Sequence, residues 1–168
     1  SQSGKGGIGY LLEHNYGYIL PKKMSEKVSY LIKEISDHGH RELLSNEVFD
    51  IFSDHFINVH EPLKIIDFHF NHEEDEQFDG ITKTLVAKGN GRIDSISNAL
   101  KNFLHISFTN LTYVEHALEK GSDSKAVCYV SITADDGQTE WGVGVHNDIV
   151  VASVRALAGA VNHQICRK

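Results

Sequence analysis

The spacing of the apolar residues changes at Pro62, and this change constrains the fold more than any other feature of the chain. Before Pro62 the apolar positions recur with a helical period of about 3.6 residues. After it they alternate with the strand period of about 2, and helical spacing returns twice further on. Because 168 residues suffice for one ordinary domain with a small appendage, the pattern predicts an α+β protein that begins with a helical part.

The helical part is predicted to hold two amphipathic helices. The first has an apolar stripe over residues 24–35 and should end at Asp37–Gly39, where glycine can supply a left-handed cap. Ser45 is the predicted N-cap of the second, whose stripe runs over 48–56. A glycine-rich opening leads into a short helix or extended segment. We therefore predict a helical linker subdomain over residues 1–60.

Residues 63–168 are predicted to form two units, each made of strands, a Gly-x-Gly sequence and a helix. The Gly-x-Gly sequences are Gly89–Gly91 and the end of Trp141–Gly144. A single layer of helices on a mainly antiparallel sheet leaves strand edges open, so pairing with a second copy is expected. The predicted strands are 63–70, 81–88, 106–117, 126–134 and 139–145, with an acidic loop His72–Asp79 after the first and helices near 93–104 and 148–165.

The Gly89-Asn90-Gly91 turn is the most informative short motif. Glycines just before a helix let backbone N–H groups approach an anion, aided by the helix dipole. A small carboxylate or phosphate ligand is the functional interpretation, and a tight strand-to-helix turn is the structural alternative. The sequence His146-Asn147-Asp148 is predicted to cap the last helix.

Charge and composition argue against several classes of partner. The net charge of −7 repels both a nucleic-acid backbone and an anionic membrane surface. The two cysteines, Cys128 and Cys166, are too few for a disulfide scaffold and favour a reducing, cytoplasmic setting. Eleven histidines occur, but none stands in a convincing metal-ligand frame. We therefore expect no metal and no cofactor in this segment.

The stretch Tyr113–Ala117 is predicted to alternate along a strand. Tyr113, Glu115 and Ala117 then share one face while His116 lies on the other, which argues against a Glu–His acid/base pair. No nucleophile motif or phosphate loop is present. The region is predicted to bind a ligand and not to catalyse a reaction.

Five motifs in order resemble the C-terminal part of the 2-isopropylmalate synthase family. They are Ser1–Gly7 followed by Tyr10, Gly89–Gly91, Tyr113–Ala117, Trp141–Gly144 and Asp148–Ser153. The resemblance spans nearly the whole chain. It implies a linker subdomain followed, over residues 63–168, by a regulatory domain that dimerises and binds leucine for feedback inhibition.

The resemblance also implies a catalytic part that this segment lacks. In the family an N-terminal barrel that requires a divalent metal condenses acetyl-CoA with 2-oxoisovalerate. Since the barrel is absent here and the chain opens on Ser1 and not on Met, we expect a fragment or a processed chain without synthase activity of its own. In a eukaryote the intact enzyme would be organellar.

The resemblance assigns site residues one by one. Leucine would lie at the dimer interface near the glycine turn. Tyr10 would approach the partner subunit's active site as a catalytic helper, the alternative being a core aromatic packed with Leu11 and Leu12. The residues implied for the effector are Gly89, Asn90, Gly91, Ile93, Asp94, Ala117, Ser124 and Ala126.

Two other interpretations stay open. The related citramalate synthase has a regulatory domain that responds to isoleucine, although Ser1–Gly7 and Tyr113–Ala117 favour the leucine enzyme. Alternatively, the chain is a dimerisation scaffold without an effector site. Titration with both amino acids distinguishes the three.

Overall fold

The computed structural model of the chain describes residues 5–70, 74–78, 84–87, 89–118 and 124–167. These residues form an α+β fold with three helices first and two strand-and-helix units after them. The elements are α1 Lys5–Tyr16, α2 Lys22–Gly39, α3 Ser45–Phe56, β1 Ile65–Phe70, β2 Glu74–Phe78, β3 Thr84–Ala87, α4 Arg92–Leu104, β4 Phe108–Leu118, β5 Lys125–Ala134, β6 Thr139–His146 and α5 Ile149–Cys166.

Two successive units follow the same order of three strands and one helix. Strands β1–β2–β3 form one antiparallel sheet that precedes α4, and β4–β5–β6 form a second that precedes α5. The predicted α+β class with two strand-and-helix repeats is thereby confirmed. The prediction of an acidic loop is wrong for Glu74–Phe78, because these residues form the central strand β2. Glu74, for example, pairs with Phe70 of β1 on one side and with Ala87 of β3 on the other. Residues 72, 73 and 79 lie outside the described residues.

The two Gly-x-Gly sequences are not equivalent, which corrects the predicted internal repeat. Gly91 immediately precedes α4. Gly142 and Gly144 instead lie inside β6, where α5 packs directly on the strand backbone. The repeat therefore holds for the order of elements and fails for the glycines.

The helix ends agree with the predictions in position but not always in the capping residue. His40, and not Gly39, adopts the left-handed conformation after α2. The N-cap of α3 is Leu44, and Ser45 instead accepts a hydrogen bond from Asn15 of α1 at 2.9 Å. The predicted cap of α5 is confirmed, since the Asp148 carboxylate accepts from the Val150 amide at 2.8 Å.

The second sheet is covered on both faces. Alternation along β5 sends Val127 and Tyr129 toward helices α1–α3, and Cys128 and Val130 toward α4 and α5. Each face has its own apolar core, so the N-terminal helices and α5 pack on opposite sides of the same three strands. The division into residues 1–60 and 63–168 stays a prediction.

An ion pair and a hydrogen bond hold α2 against the start of β6. The ammonium of Lys27 donates to the Thr139 carbonyl at 2.8 Å and lies 3.2 Å from the buried Glu140 carboxylate. Arg167 reaches the other Glu140 oxygen at 2.6 Å. Because Glu140 is buried, its two cationic partners are what make its charge tolerable there.

The crossing from α3 to β1 is fixed by two asparagines. Asn58 donates from its backbone to the Val143 carbonyl at 2.8 Å and its side chain bonds both backbone groups of Val145. Asn162 of α5 bonds the backbone of Val59 and Leu63. The crossing thus behaves as an extra strand segment beside β6 and then follows α5.

Helix α5 is long and apolar enough to cross a membrane if judged by length and composition alone. About three fifths of it (61%) is buried inside the protein, however. The central helix of a folded domain has both properties, and we assign α5 that role.

Candidate functional site

A groove lies between the first turn of α4, strand β4 and the start of α5, and we call it the α4–α5 groove. Its volume of about 600 Å³ is in the usual range for small-molecule sites. It brings together Gly91, Ile93 and Asp94 of the predicted effector set. Its lining consists of these residues with Arg92, Leu111, Tyr113, Ile149, Val150 and Ser153.

A second cavity, the β4–β5 hollow, adjoins the groove and has a volume of about 430 Å³. It contains three more of the predicted effector residues, Ala117, Ser124 and Ala126, and the two alanines are directly paired across β4 and β5. Ile149 lines both cavities, so they are neighbours. The remaining lining residues of the hollow are Glu115, His116, Lys125 and Asn147.

The Gly89–Gly91 turn is partly filled by the chain itself. The Asp94 carboxylate accepts a hydrogen bond from the Asn90 amide at 3.0 Å, and the Ser95 hydroxyl donates to the Gly91 carbonyl at 2.8 Å. The predicted anion position beside Asn90 is thus occupied by Asp94. Gly89 and Asn90 line neither cavity, whereas Gly91 does.

The two glycines of the turn differ in the room around them. A Cβ on Gly89 would stand 2.7 Å from the Ser95 backbone nitrogen, so glycine is needed there for close packing. A Cβ on Gly91 would meet nothing within 4 Å, and its φ of −166° is ordinary extended backbone. Gly91 therefore leaves open space beside the groove and is not required by the turn.

The groove combines opposite charges with an aliphatic wall. Arg92 and Asp94 give it one cationic and one anionic group at the start of α4, and Ile93, Ile149 and Val150 provide branched apolar side chains. A zwitterion with an aliphatic side chain matches this combination, because both of its charges and its apolar part find counterparts.

Strand β4 places two polar groups on the groove side of the sheet. The Tyr113 hydroxyl donates to the Glu115 carboxylate, as their predicted common face requires. Burial and this carboxylate raise the pKa of Tyr113 above its ordinary value. Burial, reinforced by Glu115, raises the pKa of the Cys128 thiol to about 12. Cys128 is therefore a protonated packing residue and not a nucleophile.

Glu115 and His116 point to opposite faces, which confirms that they form no acid/base pair. His116 bonds the buried Tyr129 at 2.8 Å on the side covered by α1–α3. Its ring stacks on that tyrosine with centroids 5.4 Å apart.

Tyr10 is two-thirds exposed (66%) on α1, so the alternative of a core aromatic does not hold. Its ring stacks on His14 with centroids 5.2 Å apart, while Leu11 and Leu12 face the core. The role of Tyr10 as a catalytic helper stays a prediction.

Within the described parts of the chain, no group of three or more His, Cys, Asp or Glu side chains could hold a metal ion. His38 instead bonds Glu34 in its own helix, and His146 accepts from the Asp148 amide. A third cavity, of about 590 Å³, lies between the α3–β1 crossing and α5 and contains none of the predicted site residues.

Sequence reasoning missed the part of the groove that α5 supplies. Ile149, Val150 and Ser153 meet the first turn of α4 only through tertiary packing, although Asp148–Ser153 stands out as a motif. Arg92 and Leu111 were missed as well. The signal that could have indicated the α5 residues is that the motif Asp148–Ser153, like Gly89–Gly91, stands at the start of a helix.

Comparison with known proteins gives a consistent result. The family model of the LeuA allosteric (dimerisation) domain matches residues 29–165. Curated relatives named 2-isopropylmalate synthase are 47% identical in Desulfitobacterium hafniense, 43% in Helicobacter hepaticus and 34% in Brucella melitensis. Each match covers 98–99% of this chain but only 31–32% of the relative. The chain thus spans about a third of the length of the curated relatives it matches.

Proposed function

Because the chain belongs to the LeuA allosteric (dimerisation) domain family, we propose that it is the regulatory part of a cytoplasmic 2-isopropylmalate synthase and binds leucine as a feedback inhibitor. The condensation of acetyl-CoA with 2-oxoisovalerate, and the divalent metal it needs, belong to a catalytic barrel outside this segment. The segment alone is inactive in this proposal, and Tyr10 assists the active site of the partner subunit.

The observation that carries the proposal is the composition of the α4–α5 groove. Arg92 and Asp94 complement the two charges of an amino acid, and Ile93, Ile149 and Val150 complement a branched side chain. A ligand that fills the groove can continue into the adjoining hollow beside Ala117 and Ala126, where small side chains leave room.

A homodimer is part of this proposal. Strand β4 is an edge of its sheet, and its Tyr113 and Val114 side chains are 41% and 48% exposed. Long unpaired edges with exposed apolar side chains favour pairing with another strand. Sedimentation of the chain at tens of micromolar, roughly the concentration used in titrations, should therefore show a dimer whose unfolding temperature rises with concentration.

Leucine is expected to bind this chain and to raise its free energy of unfolding by about 2.7 kcal/mol at one hundred times the dissociation constant. The physical reason is linkage, since a ligand that binds only the folded state stabilises it. Isothermal titration with leucine, isoleucine, valine and alanine measures the affinity, and urea unfolding with and without ligand measures the stabilisation.

The pattern of responses decides between the candidates. Leucine should bind more tightly than isoleucine, and alanine should bind least because it leaves the aliphatic wall uncovered. Tighter isoleucine binding would favour the citramalate synthase type of regulation. A stable dimer that binds none of the four amino acids would favour the scaffold interpretation. Equal stabilisation by all four would contradict selectivity for leucine.

The substitution Gly91→Val tests where the ligand lies. Gly91 lines the groove and has open space at its Cβ position, so valine should leave the stability within about 0.5 kcal/mol of the parent. The branched side chain would occupy the groove, and leucine binding should be lost. Titration and urea unfolding of the same variant separate the two effects.

The matched control is Gly89→Val, two residues away. Its Cβ would stand 2.7 Å from the Ser95 backbone nitrogen, so destabilisation of about 1–3 kcal/mol is expected there. Unchanged leucine affinity in a folded Gly91→Val protein would show that the ligand binds elsewhere.

A further inference from the structure

His116 connects the ligand-binding side of the sheet to the helices on its other face. Its Nδ1 atom lies 2.9 Å from the Ala117 carbonyl oxygen. A carbonyl can only accept, so Nδ1 carries the proton and Nε2 is the acceptor. The buried Tyr129 hydroxyl donates to Nε2 at 2.8 Å, and the backbone amide of Ile19 also donates to it at 3.4 Å.

The Ile19 amide belongs to the short segment that follows α1 and caps its C-terminal end. Gly17 adopts the left-handed conformation, with φ of 83°, and its amide bonds the Glu13 carbonyl at 2.9 Å. The Tyr18 amide bonds the Leu12 carbonyl at 3.1 Å. These capping bonds tie the segment to its helix. Ile19 is therefore held next to the C-terminal end of α1, the helix that carries the exposed Tyr10.

Alternation along β4 gives His116 its position between the two sides. Glu115, His116 and Ala117 all line the hollow, and the ring of His116 also reaches Tyr129 on the opposite face. The Nδ1 bond to Ala117 fixes the ring orientation directly from a hollow-lining residue.

Another polar contact between the N-terminal helices and the sheet is far from the hollow. Lys27 bonds Thr139 and Glu140 at the start of β6, whereas the hollow adjoins the end of β6, where His146 pairs with Ala126. His116 therefore makes its hydrogen bond to the helical part at the same end of the sheet as the hollow.

We propose that His116 is a positioning residue through which ligand occupancy of the groove and hollow is transmitted to α1. The inference rests on the proposed function, since it assigns the route by which leucine would act. A ligand against Ala117 changes the backbone that orients the imidazole, and the acceptor presented to Ile19 changes with it. The coupling needs no movement of the whole sheet.

Hydrogen exchange of the chain with and without leucine tests the proposal. Bound leucine should change the exchange rates of the amides at 18–20 by about fivefold or more, as ordinary coupling energies imply. The substitution His116→Phe keeps an aromatic ring against Tyr129 and removes both nitrogens. The variant is compared with the parent at saturating leucine, because His116 lines the hollow and its replacement can change the affinity. At saturation it should lose the response at 18–20. His116→Gln, which retains an acceptor, should restore part of that response.

Two further variants keep the result interpretable. Tyr129→Phe retains the buried ring and removes only the hydroxyl, which bonds Nε2 and also interacts with the Ile19 backbone. It should therefore weaken the response even if His116→Phe fails to fold. His38→Phe is the matched control, because His38 makes the same kind of Nδ1 bond to a carbonyl of its own helix. Its response should equal that of the parent.

The outcomes separate this inference from the proposed function. Leucine binding without any change at 18–20, or an unchanged response in His116→Phe, overturns the role of His116 and leaves the proposed function intact. A parent chain that does not bind leucine overturns both. Complete loss of leucine binding in His116→Phe, at any leucine concentration, would make its imidazole a direct ligand contact and contradict the positioning role.

Discussion

Replacement of Gly144 by alanine is expected to destabilise the protein by about 3 kcal/mol or more, and Gly142→Ala should do the same. A Cβ on Gly144 would stand 1.7 Å from the Ala152 carbonyl oxygen, and one on Gly142 would stand 1.9 Å from that of Ala156. Both obstacles are backbone atoms of α5, which no change of rotamer can move away. The helix must therefore separate from β6, and the apolar core on that face opens with it.

The size of the effect follows from what α5 buries. Its Leu157 and Val161 side chains are fully buried in the core that also holds Val130. Separation exposes part of this surface at about 25 cal/mol per Å². Total stabilities of about 5–15 kcal/mol make such a loss large enough to populate the unfolded state. Urea unfolding followed by circular dichroism measures it.

Gly39→Ala is the matched control for this prediction. Gly39 lies in the last turn of α2 with nothing within 4 Å of its Cβ position. Alanine should leave stability unchanged or raise it by up to about 1 kcal/mol, because it restricts the unfolded chain. If Gly144→Ala were as stable as Gly39→Ala, the close packing of α5 on β6 would be contradicted.

The helices of this chain could be predicted from local patterns, and the reason is physical. Each amphipathic helix repeats its apolar positions within a few turns, so the stripe over residues 24–35 already contains the signal for α2. Strand β2 has no such signal. The sequence Glu74–Phe78 is acidic and does not alternate, and it is a strand because β1 and β3 pair with its backbone on both sides.

The glycines show the same limit from another side. Gly89–Gly91 and Gly142–Gly144 look alike in sequence, yet one pair lies in a turn and the other lies under a helix. Glycine is required at position 144 because α5 packs directly on β6, and this tertiary contact is not visible in the local sequence. Only part of the candidate site could be predicted in the same way. Ile93 and Asp94 could be, because they directly follow the glycine turn in sequence. Ile149 joins them only when α5 packs beside α4.

After the two β6 glycines, Asn162 is the residue whose replacement should lower the free energy of unfolding most. Its side chain is 1% exposed and makes three hydrogen bonds to the α3–β1 crossing. The Oδ1 atom accepts from the Leu63 amide at 2.8 Å, and Nδ2 donates to the carbonyls of Leu63 at 2.9 Å and Val59 at 3.1 Å. This one side-chain amide therefore supplies hydrogen-bond partners to backbone groups of the crossing that have none in a helix or sheet.

Asn162→Leu is expected to lower the free energy of unfolding by about 3–5 kcal/mol, since it keeps the volume and leaves three backbone groups without partners at about 1–3 kcal/mol each. Asn102→Leu, at an exposed position of α4, is the matched control and should stay within about 0.5 kcal/mol. Hydrogen exchange at the Leu63 amide distinguishes a local from a global effect. That amide should exchange faster in Asn162→Leu even under conditions where the rest of the protein stays folded, because its acceptor is gone. A Leu63 amide as protected as in the parent would show that the crossing is held by its apolar contacts alone, and the destabilisation would then have to be small.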